Sequence, residues 1–141
     1  MGKCVNSAVI PAPVDEVWKR IRNFHDMSWT PAIETLERVG DARGDQVGAK
    51  RILNGAFHET LVGIDELERS FQYQITDGPS PLSKDELLYY HSEVKVLPVT
   101  DENASFVIWE SRYESRDDTQ IKQVCDAFYI TFLAHLKAQY S

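Results

Sequence analysis

The chain predicts an α+β fold, a curved antiparallel sheet of about seven strands gripping one long C-terminal helix. Three observations predict it. From Asp118 to Gln139 the apolar residues Ile121, Val124, Cys125, Phe128, Phe132 and Leu136 recur at steps of three and four, which places them on one helical face. Before that helix come segments of alternating apolar and polar residues, joined in pairs by short polar loops. Ahead of these, a first strand is cut off by Pro11-Ala12-Pro13 and gives way to helical spacing.

The elements follow in order. Residues 4 to 10 are small and β-branched and read as a strand. Pro13 suits the first position of a helix, where its missing N–H costs nothing. Asp15 and Glu16 lie in the first turn of that helix and Lys19, Arg20 and Arg22 in the last, matching the dipole. Val14, Val17, Trp18 and Ile21 form its buried stripe, and residues 23 to 33 read as a compact turn region that forms a second short helix. Three hairpins come next: 35–39 with 49–53, 57–64 with 71–76, and 87–97 with 105–115. Short connections make them antiparallel neighbours, since parallel pairing needs long crossovers. One domain over residues 1–141 is expected from the length.

Alternation assigns faces. Phe71, Tyr73 and Ile75 oppose Gln72, Gln74 and Thr76, and Leu88, Tyr90, Val94 and Val96 share a face with Ser92. The last strand leaves two choices: either Phe106, Ile108, Glu110 and Arg112 face inward, or Val107, Trp109, Ser111 and Tyr113 do. The indole carries the larger apolar surface, which favours Trp109.

Composition narrows the function. A net charge of −7 opposes a nucleic-acid footprint and charge-driven docking on anionic lipid. No apolar run reaches the ~20 residues of a membrane span. The N-terminal residues lack the apolar core of a secretion signal, so Cys4 and Cys125 are expected as reduced thiols in a cytoplasmic protein. His25, His58, His91 and His135 show no metal-ligand spacing and are expected at the surface or rim. No motif for a cofactor or a phosphate is present.

Glu59 is the sharpest single residue. It is in phase with Phe57 and Leu61, so its carboxylate points the way the apolar residues do. Such a group is costly unless paired, hydrated or protonated. Three accounts remain open: a cavity-lining acid or base, a structural carboxylate tied to Arg51, Arg112 or Tyr90, or a strand-end residue in solvent. Tyr73, Tyr90 and Ser92 present hydroxyls on inward faces, to orient a ligand or to fill core.

Ile10-Pro11-Ala12-Pro13 with Val17-Trp18, Trp29-Thr30-Pro31-Ala32-Ile33, Glu59-Thr60-Leu61 ahead of Asp65, Tyr73-Gln74-Ile75 and Val107-Ile108-Trp109 occur in an order that covers nearly the whole chain. In that order they resemble the helix-grip superfamily of START and birch-pollen-allergen proteins, in its polyketide cyclase/dehydrase-type branch. The resemblance implies an apolar cavity between sheet and C-terminal helix. It implies a lining of Glu59, Leu61, Tyr73, Ile75, Tyr90, Ser92, Val124, Phe128 and Phe132, to which the face argument adds Trp109. The loops at 54–57 and 78–82 match the gate-like loops of that fold, without the gate and latch motifs of the plant hormone receptors.

Three functions are therefore expected as alternatives. The first is binding of a small hydrophobic, partly oxygenated ligand of polyketide, lipid or isoprenoid type, without cofactor, metal or nucleic acid. The second is a cofactor-independent cyclase or dehydratase in which Glu59 abstracts a proton and Tyr90 polarises an oxygen. The third is a protein-interaction module using an apolar tip at 79–82.

Overall fold

The computed structural model describes residues 1–141. It contains seven strands and two α-helices: β1 (Gly2–Ile10), α1 (Val14–Ile21), β2 (Leu36–Val39), β3 (Lys50–Leu53), β4 (Phe57–Asp65), β5 (Ser70–Asp77), β6 (Leu87–Val99), β7 (Ala104–Ser115) and α2 (Asp118–Ala138). All seven strands form one antiparallel sheet in the order β1-β7-β6-β5-β4-β3-β2. The meander runs from β2 to β7, and β1 returns to the far side of β7. Register shifts at His58/Glu59 and Leu61/Gly63 in β4 bend the sheet, because a bulge adds local twist and curvature. The concave face then receives α2, which packs mainly on β1 and β7.

The helices start for readable reasons. α1 begins after Pro13, carries Asp15 and Glu16 in its first turn, and buries Val17, Trp18 and Ile21. α2 is capped by the Asp117 carboxylate, which accepts from the Gln120 N–H, while Asp118 accepts from the Ser115 N–H. Its buried face is Ile121, Cys125, Tyr129, Phe132, Leu133 and Leu136; Val124 and Phe128 are half-buried at its edge. The face is turned toward Tyr129 and Leu133 relative to the stripe expected from the sequence.

The second short helix expected over residues 23–33 does not form. That stretch is a chain of turns in which side chains take the backbone bonds a helix would need. Asn23 Oδ1 accepts from His25 N–H, Asp26 Oδ1 from Ser28 N–H, and Thr30 Oγ1 from Ala32 N–H. Pro31 removes a further donor. The turns nevertheless bury Phe24, Met27, Trp29 and Thr30.

Two face assignments are settled by burial. In β7, Val107, Trp109, Ser111 and Tyr113 point inward, and Glu110 points out to within 3.7 Å of Lys3 Nζ. In β6, Tyr90, Ser92, Val94 and Val96 are inward as alternation predicts, but Leu88 is 75% exposed. The register shift between Leu87 and Tyr89 puts Leu88 out of phase with the strand that follows. His25, expected at the surface or rim, is buried, with Nε2 2.9 Å from the Lys50 carbonyl. The other three histidines are half-buried, and His135 Nδ1 lies 2.6 Å from Thr30 Oγ1. No helix is long and apolar enough to cross a membrane.

Candidate functional site

Between the concave sheet and α2 lies a cavity of about 50 Å³. Eleven of its fourteen lining residues are hydrophobic. Its floor is made by strands β3 to β6 through Arg51, Leu53, Glu59, Tyr73, Ile75 and Tyr90, and its roof by Phe128, Tyr129 and Phe132 of α2. Phe57, Leu82, Ala32, Ile33 and Asn54 complete the lining. There the rings of Phe57 and Phe128 meet edge to face at 5.2 Å. Phe128 also stacks on Phe132 at 6.2 Å. Leu82 is 1% exposed and turns into the molecule, while Pro79 and Ser80 of the same loop are exposed.

Glu59 is buried against Arg51, its cross-strand neighbour from β3. Arg51 Nε donates to Glu59 Oε1 at 2.8 Å, and the nearest ion-pair contact, from Nη2 at 2.6 Å, falls on the same oxygen. Nη1 donates to the Phe24 carbonyl at 2.9 Å, and the guanidinium stacks 3.7 Å from the Phe24 ring centre. Every nitrogen of Arg51 is thus engaged. No protein group donates to Glu59 Oε2, and that oxygen is not among the sealed, unpartnered atoms of the interior. It borders the cavity. Burial raises the Glu59 carboxyl above its ordinary range, with the Arg51 charge and hydrogen bond working against it.

The opposite wall holds a chain of hydroxyls. Ser92 Oγ donates to the Glu110 carbonyl at 3.1 Å, and a carbonyl can only accept. That contact fixes the direction of the rest. Ser111 donates to Ser92 at 2.8 Å, Tyr129 to Ser111 at 2.8 Å and Tyr90 to Tyr129, and Cys125 Sγ lies 2.9 Å from the Tyr90 hydroxyl. The Cys125 thiol is pushed up strongly by its hydrogen bond with Cys4 and by burial, which keeps its proton in place. Tyr73 accepts from Trp109 Nε1 at 3.0 Å and has Ser92 and Tyr129 as hydrogen-bond neighbours. Burial raises Tyr73, Tyr90 and Tyr129 above the usual phenol range, so the cluster is neutral. The Tyr90 proton is directed at Tyr129 and away from the cavity.

Of the residues singled out from the sequence, Glu59, Tyr73, Ile75, Tyr90, Phe128 and Phe132 meet at the cavity. Four do not reach its wall. Leu61 is sealed in the core opposite Tyr73, and Ser92 sits behind the wall in the hydroxyl chain. Trp109 stacks on Tyr129 at 5.0 Å and braces it, while Val124 lies a turn beyond the cavity on α2. Two important residues were missed as lining. Arg51 figured only as a partner for Glu59. Tyr129 was left out of the helix stripe, although it stands four residues from both Cys125 and Leu133. No group of histidine, cysteine and acidic side chains in the fold has the arrangement of a metal site.

Comparison with known proteins agrees with this architecture. Residues 1–140 match the family model described as polyketide cyclase / dehydrase and lipid transport. A solved protein of Nitrosospira multiformis is 42% identical, with a TM-score of 0.96, covering 99% of this chain and 97% of its own. XoxI from Bacillus cereus is 22% identical with a TM-score of 0.83 over 99% and 96% of the two chains, a likeness of fold. Major latex-like protein 151 of Panax ginseng shares the fold at 19% identity and a TM-score of 0.78, over 99% and 97%. No curated protein matches. With a whole-chain family match, a relative at 42% identity and a seven-stranded sheet gripping its C-terminal helix, the chain belongs to the polyketide cyclase/dehydrase and lipid transport family.

Proposed function

We propose that the protein binds a small hydrophobic, partly oxygenated molecule between the sheet and α2. The observation that carries the reading is an apolar cavity into which one unpartnered carboxylate oxygen opens, Glu59 Oε2. An interior that served packing alone would leave no such atom, because an unpaired buried oxygen costs about 1–3 kcal/mol or more. At about 50 Å³ the cavity has room for a few waters. Ligand pockets usually measure about 300–1,000 Å³. A ligand of that size therefore requires lining side chains to move, which the half-buried positions of the Phe57 and Phe128 rings permit.

Native mass spectrometry and thermal shift test the reading. A ligand at one hundred times its Kd stabilises by about 2.7 kcal/mol, several degrees in Tm for a chain this size. A protein that carries no co-purifying lipophilic mass and whose Tm no hydrophobic compound raises would refute it.

A catalytic reading is favoured by one observation, the carboxyl of Glu59 raised by burial and open to the cavity. In that reading Oε2 takes a proton from a carbon next to a ligand carbonyl. Tyr90 has its proton committed to Tyr129, so polarising the carbonyl would first require the chain to reverse. Turnover lost in Glu59→Gln with binding retained would favour catalysis; turnover retained in that variant would exclude it.

A further inference from the structure

We infer that the binding site extends through the sheet between β5 and β6, and that its ligand is an elongated amphiphile, with an oxygenated head in the inner cavity and a hydrocarbon tail in a groove outside. The inference rests on the binding reading above. It names the class and length of that ligand from a place where the sheet comes apart.

Pairing between β5 and β6 ends at Gln74 opposite His91, although β5 runs on to Asp77 and β6 starts at Leu87. Past that point each strand keeps only its other neighbour. β5 stays on β4, with Ile75 opposite Glu59 and Asp77 opposite His58. β6 stays on β7, with Tyr89 opposite Glu114 and Tyr90 opposite Tyr113. The register shift between Leu87 and Tyr89 twists this end of β6. No ladder joins residues 75–77 to 88–90, so two strand edges face each other inside the sheet.

A groove of about 280 Å³ lies along this opening, and five of its seven lining residues are hydrophobic. Leu88 and Tyr89 stand exposed along it. Ile75 and Tyr90 line the groove and the inner cavity alike, so the two spaces share a wall. Tyr90 is held there by Tyr129 and Cys125. Ile75 has no polar tie and is the part of the wall that can turn aside. The volumes point the same way. The inner cavity holds about 50 Å³, far below the ~300 Å³ at which ligand pockets begin, and the groove supplies the difference. It does so without disturbing the rings packed around Trp109 and Phe132.

The polar lining sets the direction. Arg51, Asn54 and Glu59 are the inner residues that are not hydrophobic, so the oxygenated end lies inside. The groove offers Leu87, Leu88 and Tyr89, which suits methylenes leaving water. A hydrocarbon chain is also the slimmest apolar shape and bends to follow such a path, where a fused ring system does not.

Isothermal titration calorimetry on the full chain with 4-butylphenol, 4-hexylphenol and 4-octylphenol tests this. A fully buried methylene is worth about fourfold in affinity and a half-buried one about twofold, so octylphenol should bind at least about tenfold more tightly than butylphenol. Leu88→Asp and Thr76→Asp each place a charge in the groove at an exposed position, where the fold is unaffected. In each, the advantage of octylphenol should fall below about threefold while butylphenol stays within about twofold of its wild-type affinity. Leu67→Asp adds the same charge at an exposed position in the turn at the far end of β5, and should change neither. Equal affinities of the three probes for the wild type, a wild-type length dependence in either groove variant, or a loss shared equally by butylphenol and octylphenol would overturn the inference while binding in the inner cavity stands. If none of the three binds, the binding reading itself fails.

Discussion

Replacing Arg51 by methionine is the most revealing perturbation of the buried pair. Arg51 is 3% exposed and Glu59 6%, so neither charge can turn to solvent when its partner is lost. Breaking such a pair costs about 3–5 kcal/mol, because the remaining charge is left uncompensated. The lost bond to the Phe24 carbonyl adds about 1 kcal/mol that does not depend on pH. The charge part does depend on pH. In the fold Glu59 sits above its ordinary value of 4.5, so its contribution to stability is complete below that value and is lost as pH rises through the folded one. Removing Arg51 takes away both influences that pull the carboxyl down and extends the loss to higher pH. Arg51→Met should therefore cost about 1 kcal/mol near pH 4.5 and about 4–6 kcal/mol at pH 8. Urea denaturation across that range measures it, urea being preferable to an ionic denaturant that screens the charges. Adding Glu59→Leu should recover most of the loss at pH 8, since an apolar pair can replace a buried ion pair at little cost. A loss that is equal at pH 4.5 and pH 8, or a double variant no more stable than Arg51→Met alone, would refute the reasoning.

Other perturbations test the walls. Tyr129→Phe removes an acceptor from Tyr90 and a donor from Ser111, and should cost about 1–3 kcal/mol by urea denaturation; a change under 0.5 kcal/mol would mean the hydroxyl chain is not held. Phe132→Ala strips a ring packed against Trp29, Trp109, Phe128 and Tyr129, and should cost about 3–5 kcal/mol while enlarging the cavity. Bulkier hydrophobic probes should then bind relatively better, and an unchanged ligand preference would assign Phe132 to the core alone. Phe128→Ala, at a half-buried position, should cost roughly half as much and speed probe association in stopped-flow fluorescence. Association at the wild-type rate would place the entrance elsewhere.

Much of this architecture can be read from residue order because two periodicities carry it. Strands with one wet face declare themselves by alternation, as Phe71, Tyr73 and Ile75 do. The phase of Glu59 was readable for the same reason. Alternation fails where a bulge intervenes, as at Leu88, and where local side-chain bonds replace a helix, as from Asn23 to Thr30. The site was half legible. Glu59, Tyr73 and Phe132 lie on strongly patterned faces. Tyr129 was hidden because the neighbouring Phe128 continues the apolar steps from Val124 to Phe132, which sets the expected face one position away from Tyr129 and Leu133. That Leu82 turns inward depends on the path of a loop, for which no periodicity exists.

The place of β1 in the sheet bears on how the molecule is made. Gly2 lies opposite Tyr113 and Ile10 opposite Ser105, so β1 finds its partner only after about a hundred more residues have been made. Until β7 emerges, β1 has no strand to join and β6 shows a bare edge thirteen residues long. Folding through such distant contacts is slow for a chain of this size. Nascent chains stalled before residue 104 should be the species that chaperones bind and that aggregates, whereas permuting β1 to follow β7 would make its partner local and quicken the whole process.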